Sequence, residues 1–301
     1  MPGYSSLTLD RRRFLKLAAT SAGAVLLQSC FRTSSPPATE SVPEVFHDLS
    51  RRLARGSKPG LLVFAGASEF LAEQNQRLPL RLDHPKTGTI QGAAGTIYLG
   101  QNGRVEGPFD LTWQTFKKPD GRVRGFYESI LPMPGPGVVD LCVSMESNIF
   151  GFAVIEATDD PSVPAPREKG ISVPTPVDGN LMDSAYLCTR EPPCDMHAVS
   201  LDQALAAAKP IILIIGSPRF CTSGVCGPAV DEVLAARSLI GDTAIFIHVE
   251  PFKGDSPTEL SATAMAWGLE SEPWTFIIDS DGTLVERFEG AIVASHIRVP
   301  A

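Results

Sequence analysis

The chain has 301 residues, 43% of them hydrophobic and 20% charged, enough for a sizeable core and, at about 150 residues per domain, for two domains. Lys and Arg number 26 against 34 Asp and Glu, a formal charge of -8 with a pI of about 5.2, so the basic footprint of phosphate-backbone binding is absent and nucleic acid is not an expected partner. Six cysteines are too few for a small disulfide scaffold but suffice for one to three bridges, and the redox compartment decides whether these form.

The first thirty residues read as an address rather than as structure. Asp10-Arg11-Arg12-Arg13-Phe14-Leu15-Lys16 precedes an apolar run of eleven residues, Leu17 to Leu27, well short of the about 20 that span a bilayer. A basic region, a short apolar region and a small residue before the cut describe an export signal; a basic amphipathic helix is the alternative. The paired Arg11-Arg12, one variable residue and Phe-Leu-Lys resemble twin-arginine signals. Leu27-Gln28-Ser29-Cys30 resembles a bacterial lipobox, which implies a lipid on the Cys30 sulfur and Cys30 as the mature N-terminus. Cleavage there removes four basic residues and one acidic residue, leaving 22 and 33, a charge of about -11. That suits a soluble body held at the cell membrane, on its extracytoplasmic face, by acyl chains rather than by a polybasic patch. Disulfides persist outside the cytoplasm, so the other five cysteines are read first as bridges or redox centres.

Beyond the signal (1–29), residues 30–57 form a lipid-anchored tether: Phe31 to about Glu44 is rich in Ser, Thr and Pro, and Val45, Phe46, Leu49 and Leu53 then sit at helical spacing. Residues 58–157 hold short β-type runs: Leu61 to Phe64, Leu78 to Leu82, Thr96 to Leu99, Leu111 to Phe116, Val123 to Ile130, Val138 to Met145 and Ile149 to Ile155. Asn102-Gly103 and Pro119-Asp120-Gly121 supply hairpin turns, and about seven strands at this spacing predict an immunoglobulin-like β-sandwich. Val139, Leu141, Val143 and Met145 share one strand face, which places Cys142 on the other as a half-buried spare thiol, with a reactive thiol as the alternative. Residues 158–181, with five prolines and no periodicity, read as an interdomain linker.

Residues 182–301 alternate helix and strand. Ser200 is placed to cap a helix from Leu201 to Ala208, and Ile211 to Ile215 has the unbroken apolar character of a strand buried on both faces. A Cys-bearing loop, Ser217 to Cys226, leads to a helix from about Pro228 to Leu239. A strand at Thr243 to Val249, a helix at about Pro257 to Trp267, and strands at Trp274 to Asp279 and Thr283 to Phe288 complete an α/β unit with a mixed sheet. With only Ala291 to Ala301 left, a closing helix is short or absent, which leaves one sheet face open.

Lys209-Pro210 before the first strand, Cys226-Gly227-Pro228 entering a helix, and Glu272-Pro273-Trp274-Thr275-Phe276 followed by Asp-Gly-Thr resemble the thioredoxin superfamily in order. The resemblance covers roughly residues 182–290. It implies a thioredoxin-like domain with no cofactor, in which Cys221 is the nucleophile, Cys226 the resolving thiol, and Pro273 a cis residue facing them. Cys221 and Cys226 are separated by four residues rather than the family's usual two. In a regular helix five residues rise about 7.5 Å, more than the ~4.4–6.8 Å Cα separation of a disulfide. Pairing therefore requires Cys221 in a loop, Gly224 at the bend and the helix starting near Cys226. A helix N-terminus stabilises thiolate, and Arg219 adds positive charge nearby. The family's buried acid has no counterpart in Ile211 to Ile215; His248 is the candidate acid or base, beside the plainer reading of a hydrogen-bonded core histidine.

Cys188 and Cys194 bracket Thr-Arg-Glu-Pro-Pro, with Asp195 and His197 just beyond. A metal takes four ligands in this chemistry and no second local cluster completes the set, so a structural disulfide across a proline-stiffened loop is expected. The functional expectation is thiol–disulfide exchange, with the thiols and disulfides of exported proteins or a membrane electron donor as partners. Two other classes compete: a redox-inert binding or scaffold lipoprotein in which both pairs are staples, and a metal-handling protein using Cys221, Cys226 and a histidine.

Overall fold

The structure, a computed structural model, describes residues 42–117 and 123–300; the signal, the lipobox at Cys30 and the turn at Pro119-Asp120-Gly121 lie outside the described residues. A 3-10 turn at Glu44–Phe46 leads into α1 (His47–Leu53). Ten strands follow: β1 (Lys58–Pro59), β2 (Leu62–Ala65), β3 (Phe70–Leu71), β4 (Asn75–His84), β5 (Gly88–Thr89), β6 (Gly95–Gln101), β7 (Arg104–Lys117), β8 (Val123–Pro132), β9 (Gly137–Met145) and β10 (Ile149–Thr158). All seven expected runs overlap strands, most of them longer than the apolar pattern indicates. The hairpin between β6 and β7 turns on Asn102 and Gly103, with φ of 50° and 76°, the double positive φ that Asn-Gly tolerates.

The strands are hydrogen-bonded in one path, β1-β10-β9-β6-β7-β8-β4-β2, rather than in the two separate sheets of an immunoglobulin-like sandwich. The physical reason is β7, fourteen residues long, whose first half pairs β6 and whose second half pairs β8, so it carries the ladder round the bend. The path curls, and the chain leaving β1 stays bonded to its neighbour β10, the Gly60 and Leu61 amides donating to the Phe150 carbonyl. Leu78, Leu80, Leu82, Ile97, Tyr127, Leu131, Leu141 and Val143 fill the space enclosed. Cys142 does point to the opposite face, but α1 covers that face. The thiol is fully buried with Phe46 and Leu49 rather than half-exposed, and burial pushes its pKa up to about 12. That removes the reactive-thiol alternative.

The second lobe contains α2 (Leu201–Ala206), β11 (Ile211–Ile215), α3 (Cys226–Ile240), β12 (Ile245–Val249), α4 (Ala262–Ala266), β13 (Trp274–Ile278) and β14 (Leu284–Glu289). The sheet order is β12-β11-β13-β14; β11 and β12 are parallel, and β13 is antiparallel to both its neighbours. Every residue of β11 is buried, because hydrophobic clusters cover both faces. One is built on Trp267 and Phe276 beside α4, the other on Val230 and Val233 of α3. Ser261 caps α4, its hydroxyl accepting the Ala264 amide at 3.3 Å. Ser261→Ala is expected to lower stability by about 1 kcal/mol, read from urea unfolding.

Two expectations are corrected. Residues 158–181 are not a free linker: Val163 is buried in the β11–β13 core, the Arg167 amide donates to Leu284, Gly170 pairs with Gly282, and the Thr175 amide donates to Ser200 Oγ. The segment supplies the cover that the edge strand β14 lacks. Nor does the short C-terminus leave a sheet face open, since Ile292 and Ile297 join the α3-side core and Ala291 and Val293 pack on Phe116 and Phe126 of the first lobe.

The two lobes are therefore joined through a seam. Ser68 and Glu69 donate their amides to the Glu289 carboxylate at 2.8 and 3.0 Å. Arg287 binds Glu69 and the Val163 carbonyl, each at 2.7 Å. Gly290, at φ 79°, passes so close to the Gly66 carbonyl that a Cβ would lie 2.1 Å from its oxygen. Two separable domains would not need such an approach. The described residues of both lobes fall in one compact unit, and among them no helix is long and apolar enough to cross a membrane.

Candidate functional site

Gly216 follows the buried strand β11, and from Ser217 the chain leaves the sheet in a loop that ends at Cys226, the first residue of α3. Gly224 takes φ 71° and gives the bend. Cys221 and Cys226 are joined by a disulfide with Cα atoms 6.0 Å apart, inside the range a bridge allows. Cys226 is fully buried, whereas Cys221 is part-exposed beside three exposed residues, 222–224. The Cys226 amide, an unpaired donor of the first helical turn, points at Cys221 Sγ at 3.3 Å. A thiolate formed on Cys221 would keep that donor and sit at the positive end of a fifteen-residue helix.

The Glu272-Pro273 peptide is cis, and Pro273 sits across Gly216 from Cys226. A Cβ built on Gly216 would be 2.8 Å from Pro273 Cβ and 3.7 Å from Cys226 Cβ, so these three residues meet. Arg219 is not turned to the disulfide; its guanidinium lies over the rings of Tyr186 and Phe220, at 5.1 and 5.6 Å.

Glu272 is the residue that sequence reading missed. Its carboxylate oxygen and the two sulfurs of Cys221 and Cys226 lie within 4.8 Å of one another. Burial, opposed by the Ser217 amide that donates to it at 2.5 Å and reinforced by the nearby Glu250 charge, raises its pKa to about 7. A largely buried acid, absent from β11, is thus present in the residue before Pro273. The available signal was the pair Glu272-Pro273 itself, since the resemblance implies a proline facing the cysteines and Glu272 adjoins it. As a metal set this trio is short of ligands, with both sulfurs already joined, and it includes no histidine.

Cys188 and Cys194 depart from expectation. Their sulfurs are 3.7 Å apart and both thiols are free, so the predicted staple is not formed. The reason is that two rings share the space. His197 Nε2 is 3.2 Å from Cys194 Sγ, and His248 Nδ1 is 3.3 Å from Cys194 Sγ and 3.7 Å from Cys188 Sγ. Hydrogen bonding with the Cys194 thiol outweighs burial and holds the Cys188 thiol below its ordinary pKa. His248 is not beside the disulfide; it lies behind it, with Nε2 2.9 Å from the Gly216 carbonyl. Thr189, between these two cysteines, ties this cluster to the loop that bears Cys221: its Oγ1 accepts the Arg219 amide at 3.1 Å and lies 3.2 Å from Ser217 Oγ.

No protein-family model and no curated protein matches the chain. Among solved structures, a candidate lipoprotein from Bacillus anthracis aligns with 40% of this chain and 99% of its own, at 9% identity and a TM-score of 0.23. The ZirS C-terminal domain aligns with 52% of this chain and 97% of its own, at 11% identity and a TM-score of 0.21.

Proposed function

We propose that the chain is an exported, lipid-anchored protein whose C-terminal lobe is thioredoxin-like and exchanges disulfides with exported proteins. Support for the fold comes from the order β12-β11-β13-β14 with β13 antiparallel, and from a cysteine pair placed between the first strand and its helix. Support for export and anchoring stays in the sequence, in Arg11-Arg12 and in Leu27-Gln28-Ser29-Cys30.

One observation carries the chemistry: a part-exposed Cys221 whose sulfur receives a helix N-terminal amide, bonded to a buried Cys226 beside Glu272. In the reducing direction the Cys221 thiolate attacks a substrate disulfide, forming a mixed disulfide and releasing one substrate thiolate. Glu272 takes the Cys226 proton, and Cys226 then attacks Cys221 Sγ and expels the second substrate thiolate. The substrate gains two electrons, and the protein is left with the Cys221–Cys226 bond. A dithiol donor at the membrane restores the thiols in this direction; the reverse sequence oxidises substrate dithiols.

In glutathione buffers the pair is expected to equilibrate above about -300 mV, the region of labile disulfides. Cys226→Ser should accumulate a mixed disulfide with a disulfide-bonded reporter peptide, and Cys221→Ser should form none. A pair that resists reduction, with no trapped adduct, would return the loop to a structural staple and the protein to the scaffold class.

A further inference from the structure

We propose that Cys188, Cys194, His197 and His248 form a tetrahedral site for a single zinc-class divalent ion, separate from the redox pair and independent of its chemistry. Zn–S bonds of about 2.3 Å and Zn–N bonds of about 2.0–2.1 Å, placed tetrahedrally, separate two sulfurs by about 3.8 Å and a sulfur from a nitrogen by about 3.5 Å. The cluster shows 3.7 Å between sulfurs and 3.2, 3.3 and 3.7 Å between sulfur and nitrogen, with all four donor atoms within 4.8 Å of one another. A disulfide would instead bring the sulfurs to about 2.05 Å. Two sulfurs and two imidazoles suit zinc rather than a hard cation. The orientation of His248 adds an independent argument. Its Nε2 faces the Gly216 carbonyl, which only accepts, so Nε2 carries the proton and Nδ1 presents its lone pair to the sulfurs. His197 Nδ1 has no such partner among the described residues, which makes His197 the less firmly oriented ligand.

Three ligands come from the irregular segment before α2 and the fourth from β12, so an ion would stitch that segment to the sheet. Both histidines are buried and all four positions are taken by protein atoms, the closed arrangement of a structural site. Binding releases the two thiol protons to solvent, leaving thiolates and neutral imidazoles as ligands.

The test uses the full chain with its N-terminal tether, purified with reductant and titrated with Zn(II) alone and Co(II) alone. One equivalent is expected to bind. Co(II) should give the strong visible bands of tetrahedral coordination together with thiolate-to-cobalt charge transfer, and chelation should lower Tm. Cys194→Ser and His248→Ala should weaken binding at least about tenfold, His197→Ala less, while Cys221→Ser keeps the ion and loses only exchange. The Co(II) spectrum of the unsubstituted protein keeps the test valid if a variant fails to fold. Sub-stoichiometric binding, an octahedral spectrum, a persistent Cys188–Cys194 disulfide in fully metallated medium, or loss of the ion in Cys221→Ser would each overturn the site.

Discussion

Arg77→Ala is expected to lower the unfolding free energy by about 3–5 kcal/mol, the scale seen when one partner of a buried ion pair is removed. Arg77 leaves β4 for the seam between the lobes, where its guanidinium Nε donates to Glu128 at 2.8 Å and its Nη2 donates to the Ala291 carbonyl. The cation also lies over the rings of Phe126 and Phe288, at 5.3 and 5.8 Å, one ring from each lobe. Both members of the pair are nearly covered, with 10% and 11% of their side chains exposed. Burial works against the Glu128 charge, but His296 and Arg77 outweigh it and hold its carboxyl below the ordinary range. Without Arg77 that carboxylate keeps, among the described residues, His296 at 3.1 Å and the Gln114 amide at 2.6 Å, so much of its desolvation is uncompensated. Arg77→Lys retains charge without the planar fork and should fall between. The double change Arg77→Met with Glu128→Gln should recover most of the loss, because no unpaired charge remains. Urea unfolding at neutral pH decides it: a loss below about 1 kcal/mol for Arg77→Ala would mean that the lobes hold together without this pair.

The seam shows where sequence reasoning runs out. Period-two alternation marks the strands of the first lobe, since Val139, Leu141 and Val143 face one core, and the unbroken run of β11 marks burial on both faces. Asn102-Gly103 marks its hairpin because few other pairs take two positive φ angles. Such signals are local, arising within a strand or a turn. What covers a face is not local. Cys142 was legible as lying on the opposite side of its strand, but not that α1 returns to close that side. The prolines of residues 158–181 were legible as irregular backbone, but irregular backbone also serves as a packed edge, as Val163 and Gly170 show. The four-residue Cys221–Cys226 spacing constrained its own geometry because both ends lie on one loop. Cys188 and Cys194 have a similarly short spacing, one residue longer, yet their environment is set by His248, sixty residues from Cys188 in the chain and brought there by the pairing of β12 with β11.

Glu272→Gln is expected to change both stability and the pH dependence of the proposed exchange, and the two effects separate its roles. The folded-state pKa of about 7 lies above the ordinary carboxylate value of 4.5, because burial disfavours the charge and Glu250 adds to it, against the Ser217 amide and His248. Between those two pH values the folded protein keeps a proton that the unfolded chain has released, so stability falls as pH rises through this window and levels off above about pH 7. The full amplitude is about 3 kcal/mol at 1.36 kcal/mol per pKa unit. A glutamine side chain at this position cannot ionise, so the variant should lack this fall and be the more stable protein at pH 8 by a similar amount. For exchange the sign is opposite. Only the ionised carboxylate can accept the Cys226 proton, so the resolving step should quicken as pH rises through about 7, and the variant should lose that inflection with a rate lower by about 10²-fold. A residue that merely shapes the loop would move stability and leave the pH profile of resolution in place. Stopped-flow decay of the Cys221 mixed disulfide from pH 5 to 9, beside urea midpoints over the same range, distinguishes the cases. An unchanged inflection in Glu272→Gln would transfer the proton-accepting role away from Glu272, and an unchanged stability slope would mean that its charge is solvated in the folded state.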